Sequence, residues 1–228
     1  MSELSELLSQ ESKKKYAEIE KWFDEIANQL MNCHCLKVGD TEYRITECEF
    51  YYREMGGEHN DIYVHTEKPQ LALGQLYLNK AGGFDLTFGK DFNDETKNVY
   101  GGILIRGIRN IKTNERFNKI TKIVIEFFDK IGNIIDENRS ISINKINKEL
   151  LQTSDGTDSR ITKVNRHNLN YKTEDIDSTY FNKPYRYIVE LVEEHKFLGK
   201  ENVVKRLVQE NKIKLNDVVG ILGNNLKI

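Results

Sequence analysis

The run Tyr43-Arg-Ile-Thr-Glu-Cys-Glu-Phe-Tyr-Tyr52 constrains the fold of this chain more than any other stretch. Its β-branched and aromatic content predicts a strand, and the two-residue period of a strand puts Tyr43, Ile45, Glu47, Glu49 and Tyr51 on one face. Two carboxylates then stand between apolar neighbours. If that face is inward, the charges need partners, and burial raises a carboxylate pKa toward the range a general base uses. If it is outward, the strand is an edge and its glutamates face water.

A second apolar run, Tyr100 to Ile108, carries a single interruption, Arg106, flanked on its own face by Leu104 and Ile108. A guanidinium there requires an anion. A glutamate of the first strand is the protein candidate, and a phosphate is the ligand candidate. Around these two strands the chain reads in order. Tyr16, Ile19, Trp22, Phe23, Ile26, Ala27 and Leu30 recur at helical spacing. Cys33 to Lys37 and Glu42 to Tyr52 form a hairpin through a Gly39 turn, and the helix covers it. The segment from His59 to His65, if extended, sets His59, Asp61, Tyr63 and His65 on one face, able to orient an imidazole, contact a phosphate or hold a metal. Leu73 to Asn79 and Phe84 to Gly89 are strands joined at Gly82-Gly83. Phe117 to Lys130 has helical spacing. Residues 134–151 hold a helix or a strand and helix, 152–160 a polar loop, and Tyr185 to Val192 a strand or a strand-helix junction. Val203, Val204, Leu207 and Val208 share a helix face, with a short helix after Lys214.

Composition narrows the classes. With 228 residues, 38% of them hydrophobic, the chain can bury a core in one domain. A net charge of −2 argues against a strongly basic nucleic-acid binder but allows a local basic groove. No run is long and apolar enough for a membrane span, and the start of the chain lacks the regions of a signal peptide, so the expected location is cytoplasmic. Three cysteines offer no disulfide framework. In Cys33-His34-Cys35 the spacing does not suit zinc, which reads as a buried strand edge. No metal or other cofactor is expected.

Several blocks, in order, resemble the alkyladenine (3-methyladenine) DNA glycosylase family across about residues 25 to 190. Arg44 to Tyr51 is similar to its Arg-Ile-Val-Glu-Thr-Glu-Ala-Tyr strand. Gly74-Gln-Leu-Tyr77 is similar to a strand start, Gly102 to Arg106 to a strand with an active-site arginine, and Lys183 to Tyr187 to a closing strand. The resemblance implies an α+β fold, a single domain with a curved antiparallel β-sheet (a formyltransferase C-terminal-like barrel) wrapped by helices. The expected layout is a polar tail at 1–12, the domain at 13–192 and a helical extension at 193–228.

The resemblance also implies a function, N-glycosidic hydrolysis of a modified base in DNA, as in base excision repair with base flipping. Glu49 takes the water-activating place and Tyr51 stacks on the base. Arg106 balances Glu49 or holds a phosphate, and either His59 or His65 takes the family's pocket histidine. Asp61, Tyr63 and Tyr77 complete the expected binding residues, together with Asp85, whose stretch replaces the family's asparagine. Two blocks depart from the pattern. The hairpin tip, Ala81-Gly82-Gly83, lacks the family's wedge tyrosine, with Phe84 the nearest aromatic, and the Asn-Gly-Pro-x-Lys turn becomes Asn118-Lys-Ile-Thr-Lys122. The expected partner is DNA or a nucleotide, with hydrolysis or simple capture of a free nucleoside or nucleotide as the alternative.

Overall fold

The computed structural model describes residues 3–132, 141–145, 160–175 and 179–223. Its elements, in chain order, are α1 (Glu3–Leu7), α2 (Gln10–Lys13), α3 (Ile19–Asn32), β1 (His34–Val38), β2 (Thr41–Glu54), a 3-10 turn (Lys68–Leu71), β3 (Leu73–Leu78), β4 (Phe84–Phe88), β5 (Val99–Asn110), β6 (Arg116–Phe117), α4 (Ile120–Ile131), β7 (Ile141–Lys145), β8 (Thr162–Val164), β9 (Arg186–Ile188), α5 (Lys200–Gln209) and α6 (Asp217–Leu222). The fold is α+β, with one curved antiparallel sheet in the order β3-β4-β5-β2-β1-β7. β2 is its axis. One edge pairs with β5 along its length, while the other pairs first with β1 and then, at Glu47 to Glu49, with β9, which carries β8.

The predicted face of β2 is split by a bulge. Ile45 pairs with Ile108, Glu47 with Gly107 and Cys48 with Ile105, so the register slips on both strands. A one-residue slip exchanges the two faces of a strand. Tyr43 and Ile45 therefore point into the core with Cys48, Phe50 and Tyr52, while Glu47, Glu49 and Tyr51 occupy the opposite side. The slip also corrects the expected surroundings of Arg106. Leu104 shares its face, but Ile108 lies in the core with Ile103 and Ile105. Gly107 is what lets the strands close up here, because a Cβ would come 2.9 Å from the Glu47 Cβ.

The core fills the space between this sheet and α3. Trp22, Phe23, Ile26, Ala27, Leu30 and Met31 form the buried stripe that the sequence spacing predicts. Phe23 stacks on Phe50 at 4.8 Å, and Trp22 sets its edge on Tyr52 and Phe88 at 5.6 and 5.5 Å. Each such pair is worth about 0.5–1.5 kcal/mol beyond its buried area. At the other end, α4 lays Ile123 and Phe127 against the sheet, with Phe127 5.1 Å from Phe84. Phe84 is thus a core residue rather than a wedge at the hairpin tip.

Other expectations shift at the ends of the chain. The N-terminal stretch is not a tail, since Leu4 and Leu8 join the core and the Trp22 indole donates to the Leu7 carbonyl at 2.8 Å. Phe117 belongs to β6, and the helix begins three residues later. The 134–151 segment and the 152–160 loop lie outside the described residues, apart from β7 and Arg160. Phe197, Val203 and Leu207 close over Val164 and Ile188 at the β8–β9 side. No helix among the described residues is long and apolar enough to cross a membrane.

One buried charge cluster ties distant segments together. Glu190 follows β9 with φ at 56°, a left-handed conformation, and its carboxylate meets Arg44 of β2, Arg109 of β5 and Arg116 of β6 at 2.5, 2.9 and 2.7 Å. Burial pushes this carboxylate up, but the three guanidiniums outweigh burial and hold it below its ordinary range. Removing one partner of such a cluster strands the others in the interior. Glu190→Gln is therefore expected to lower the unfolding free energy by roughly 3–5 kcal/mol, seen as an earlier urea midpoint. A change within 1 kcal/mol would contradict the assignment of this cluster as a structural tie.

Candidate functional site

On the side of the sheet away from the core lies a hollow of about 520 Å³. Tyr51 of β2, Asp85 of β4 and Leu104 and Arg106 of β5 form its floor. Tyr63, His65, Gln70, Asn79, the approach to α4 from Asn118 to Thr121, and the loop His167 to Leu169 form its walls. The sheet registers explain this convergence. Asp85 pairs with Leu104, and Leu104 pairs with Glu49, so the three stand in one row across β4, β5 and β2.

Glu49 does not project into the hollow as expected. It has no exposed surface and lies behind Tyr51 and Arg106. One carboxylate oxygen accepts from the backbone N–H of His167 at 2.8 Å. The other accepts from the Tyr51 hydroxyl at 3.0 Å and from Arg106 at 3.2 Å. Arg106 also bonds Glu47 at 3.0 Å, and Arg186 of β9 bonds Glu47 at 2.8 Å. Two carboxylates and two guanidiniums thus close a neutral buried lattice beneath the floor. Burial opposes the charge of Arg106, but Glu49 and Glu47 more than offset it and raise its pKa. Burial, with Glu49 nearby, pushes the Tyr51 phenol up, so the group donates to Glu49 as a neutral hydroxyl.

The expected row of His59, Asp61, Tyr63 and His65 does not exist, because this segment turns instead of running extended. His59 lines a separate cleft with Lys13, Lys183 and Tyr180, where burial pulls its pKa down to about 4. Asp61 is buried against Arg166 at 2.6 Å. Tyr63 and His65 reach the hollow, with His65 3.6 Å from Glu67. Tyr77 contributes through Asp85, to which its hydroxyl donates at 3.3 Å.

Asp85 is the carboxyl group that the hollow does expose to a ligand. Asn79 donates to one oxygen at 2.8 Å and Tyr77 to the other, and no Lys or Arg among the described residues pairs with it. Burial, with Glu67 adding to it, outweighs these two neutral donors and pushes the Asp85 pKa up to about 7. Beneath it, Gly102 keeps the main chain clear, since a Cβ there would stand 3.0 Å from both the Asp85 carboxylate and the Gln70 amide.

Sequence reading missed the segment after β8. Arg166 sits 4.7 Å from the Tyr51 ring and 5.5 Å from the Tyr63 ring, backing both walls, while His167 and Asn168 line the opening. The His167 imidazole has its pKa lowered by burial and by Arg186 and Arg106. The adjacent Arg166-His167 pair was the only signal, with no strand pattern long enough to place it. Among the described residues no three His, Cys, Asp or Glu side chains are grouped to hold a metal ion. His34 is buried, with Nδ1 2.8 Å from the Gln29 carbonyl oxygen.

No family model matches the chain. It is 32% identical over 138 residues to an uncharacterized protein of Acanthamoeba polyphaga mimivirus, an alignment covering 50% of this chain and 62% of that relative. The chain therefore spans less than two thirds of the relative's length.

The Asp85 environment has a measurable consequence. A carboxyl whose pKa rises on folding contributes stability that is full below its unfolded value and lost as pH climbs through its folded value. Stability should thus decline from about pH 4 to about pH 7 by the amount this group contributes. Asp85→Asn should flatten that part of the profile and make the variant more stable than the parent at pH 8, but not at pH 4. Urea unfolding at a series of pH values measures it, and parallel profiles would refute the burial account.

Proposed function

We propose that the chain is an N-glycosylase that receives a nucleobase in this hollow and hydrolyses its bond to the sugar, in DNA or a nucleotide. The observation that carries the reading is the Glu49 carboxyl group directly behind the Tyr51 hydroxyl and Arg106 on the floor of a hollow large enough for a small ligand. The resemblance of these three positions to the alkyladenine DNA glycosylases supports it.

Base departure leaves an oxocarbenium-like sugar, and an anion close by lowers the energy of that charge. Because Glu49 lies one layer back, the water it activates meets the Tyr51 oxygen. The Tyr51 proton moves to Glu49 as the water proton moves to Tyr51, and the hydroxide oxygen bonds to the sugar carbon. Tyr51 and Tyr63 offer ring faces to the base, each stack worth about 1–3 kcal/mol. Lys119 and the first turn of α4 bring positive charge to the rim, where a phosphate would lie.

Capture of a free nucleoside or nucleotide without hydrolysis is the second reading. Both Glu49 oxygens are already engaged, and the Ala81-Gly82-Gly83 tip offers no aromatic wedge to open a duplex. Base release from single-stranded and duplex oligonucleotides carrying a panel of modified bases decides between the two. The glycosylase reading expects release by the parent protein and a loss of at least about 100-fold in Glu49→Gln, with unfolding curves checking that the variant still folds. Equal release by both proteins would reject Glu49 as the base. Nucleotide binding that ignores salt, with no release, would favour capture.

A further inference from the structure

We propose that Asp85 is the acid partner of this site, delivering a proton to the departing base while Glu49 takes one from water. The inference rests on the glycosylase reading and adds a second carboxyl group to it. In the row Asp85–Leu104–Glu49 the two carboxyl-bearing residues are separated by two strand spacings, about 10 Å along the sheet. Their side chains share one face, Leu104 lies between them, and the hollow opens above. A carboxyl group toward each end of the hollow leaves room for a water on one side of a glycosidic bond and a proton donor on the other, as hydrolysis with inversion requires.

The two environments divide the roles. Glu49 is held by Arg106 and by the His167 N–H, which favour an anion. Among the described residues, the donors to Asp85 are the uncharged Asn79 and Tyr77. The other groups facing it are Glu67 and His65 from the segment before the 3-10 turn, Gln70 within it, Arg106 from β5, and Lys119 and His167 across the hollow. Of these, Glu67 favours the protonated form, and none of the cations is paired with Asp85. Burial, with Glu67 adding to it, keeps a proton on Asp85 up to about pH 7.

The balance of the step is simple. The bond from the sugar carbon to the base nitrogen breaks, its electron pair stays on the base, and the base takes the Asp85 proton. The water oxygen bonds to the sugar carbon, and its proton reaches Glu49 through Tyr51. Exchange with solvent returns a proton to Asp85 and removes one from Glu49.

Single-turnover base release measured against pH tests this with two oligonucleotide substrates. One carries 7-methylguanine, already cationic and able to leave without a proton, and the other carries hypoxanthine, a neutral base. With hypoxanthine the parent rate should fall tenfold per pH unit above about 7. Asp85→Asn should lose that alkaline limb and slow the reaction by about 100-fold or more. With 7-methylguanine neither protein should show an alkaline limb, and the same variant should slow the reaction at least about tenfold less than it does with hypoxanthine. Tyr77→Phe, which removes a donor to the Asp85 anion, should move the limb to higher pH, a shift that does not depend on Asp85→Asn folding. If Asp85→Asn slows both substrates alike, or Tyr77→Phe leaves the limb in place, the acid role is overturned while the glycosylase reading stands. If the parent releases neither base, that reading falls and the acid role with it.

Discussion

Two glutamates and two arginines, Glu47, Glu49, Arg106 and Arg186, are locked together between β2, β5 and β9. An unpaired charge so deep would cost several kcal/mol, so each member constrains the others. Glu47 and Glu49 can stay on the face away from the core only because Arg106 and Arg186 are there. Arg106 in turn is held with its head at the floor of the hollow. The lattice is neutral as a whole, so it fixes geometry without flooding the site with one sign of charge.

The bulge at Ile45 to Cys48 makes the lattice compatible with an apolar core. Without the slip, a single face of β2 would carry Tyr43, Ile45, Glu47, Glu49 and Tyr51 together, mixing charges with packing residues. With it, Phe50 and Tyr52 turn toward α3, while the carboxylates, with Tyr51, turn toward Arg106 and Arg186. The bulge divides one strand between two tasks, packing and polar placement.

This also explains what could be read from the residues. Period and composition located α3, the β1–β2 hairpin, β3, β4 and β5 within a few residues, because each has a strong apolar pattern of its own. The charge argument pointed Arg106 at a glutamate of β2 or at a phosphate, and both Glu47 and Glu49 take it. The bulge left no local signature, since Thr46 and Arg106 fit a regular strand equally well. The turn through Asp61 was missed because its shape is set by Arg166, more than a hundred residues later in the chain. Alternation suggests a face only when the segment is extended, and here a distant ion pair overrides that preference. Asp85 entered only through the resemblance, as the replacement of an asparagine, and its unusual setting comes from burial with Tyr77, Asn79 and Glu67 folding around it.

Gly102 supports one end of the hollow from below. The Asp85 carboxyl and the Gln70 amide crowd the space that a side chain at this position would take, so both groups rest on the main chain of β5. Backbone in a paired strand has no rotamers to adjust, which keeps the two groups from sinking away from the opening. A ligand edge that reaches them meets polar atoms backed by the sheet itself.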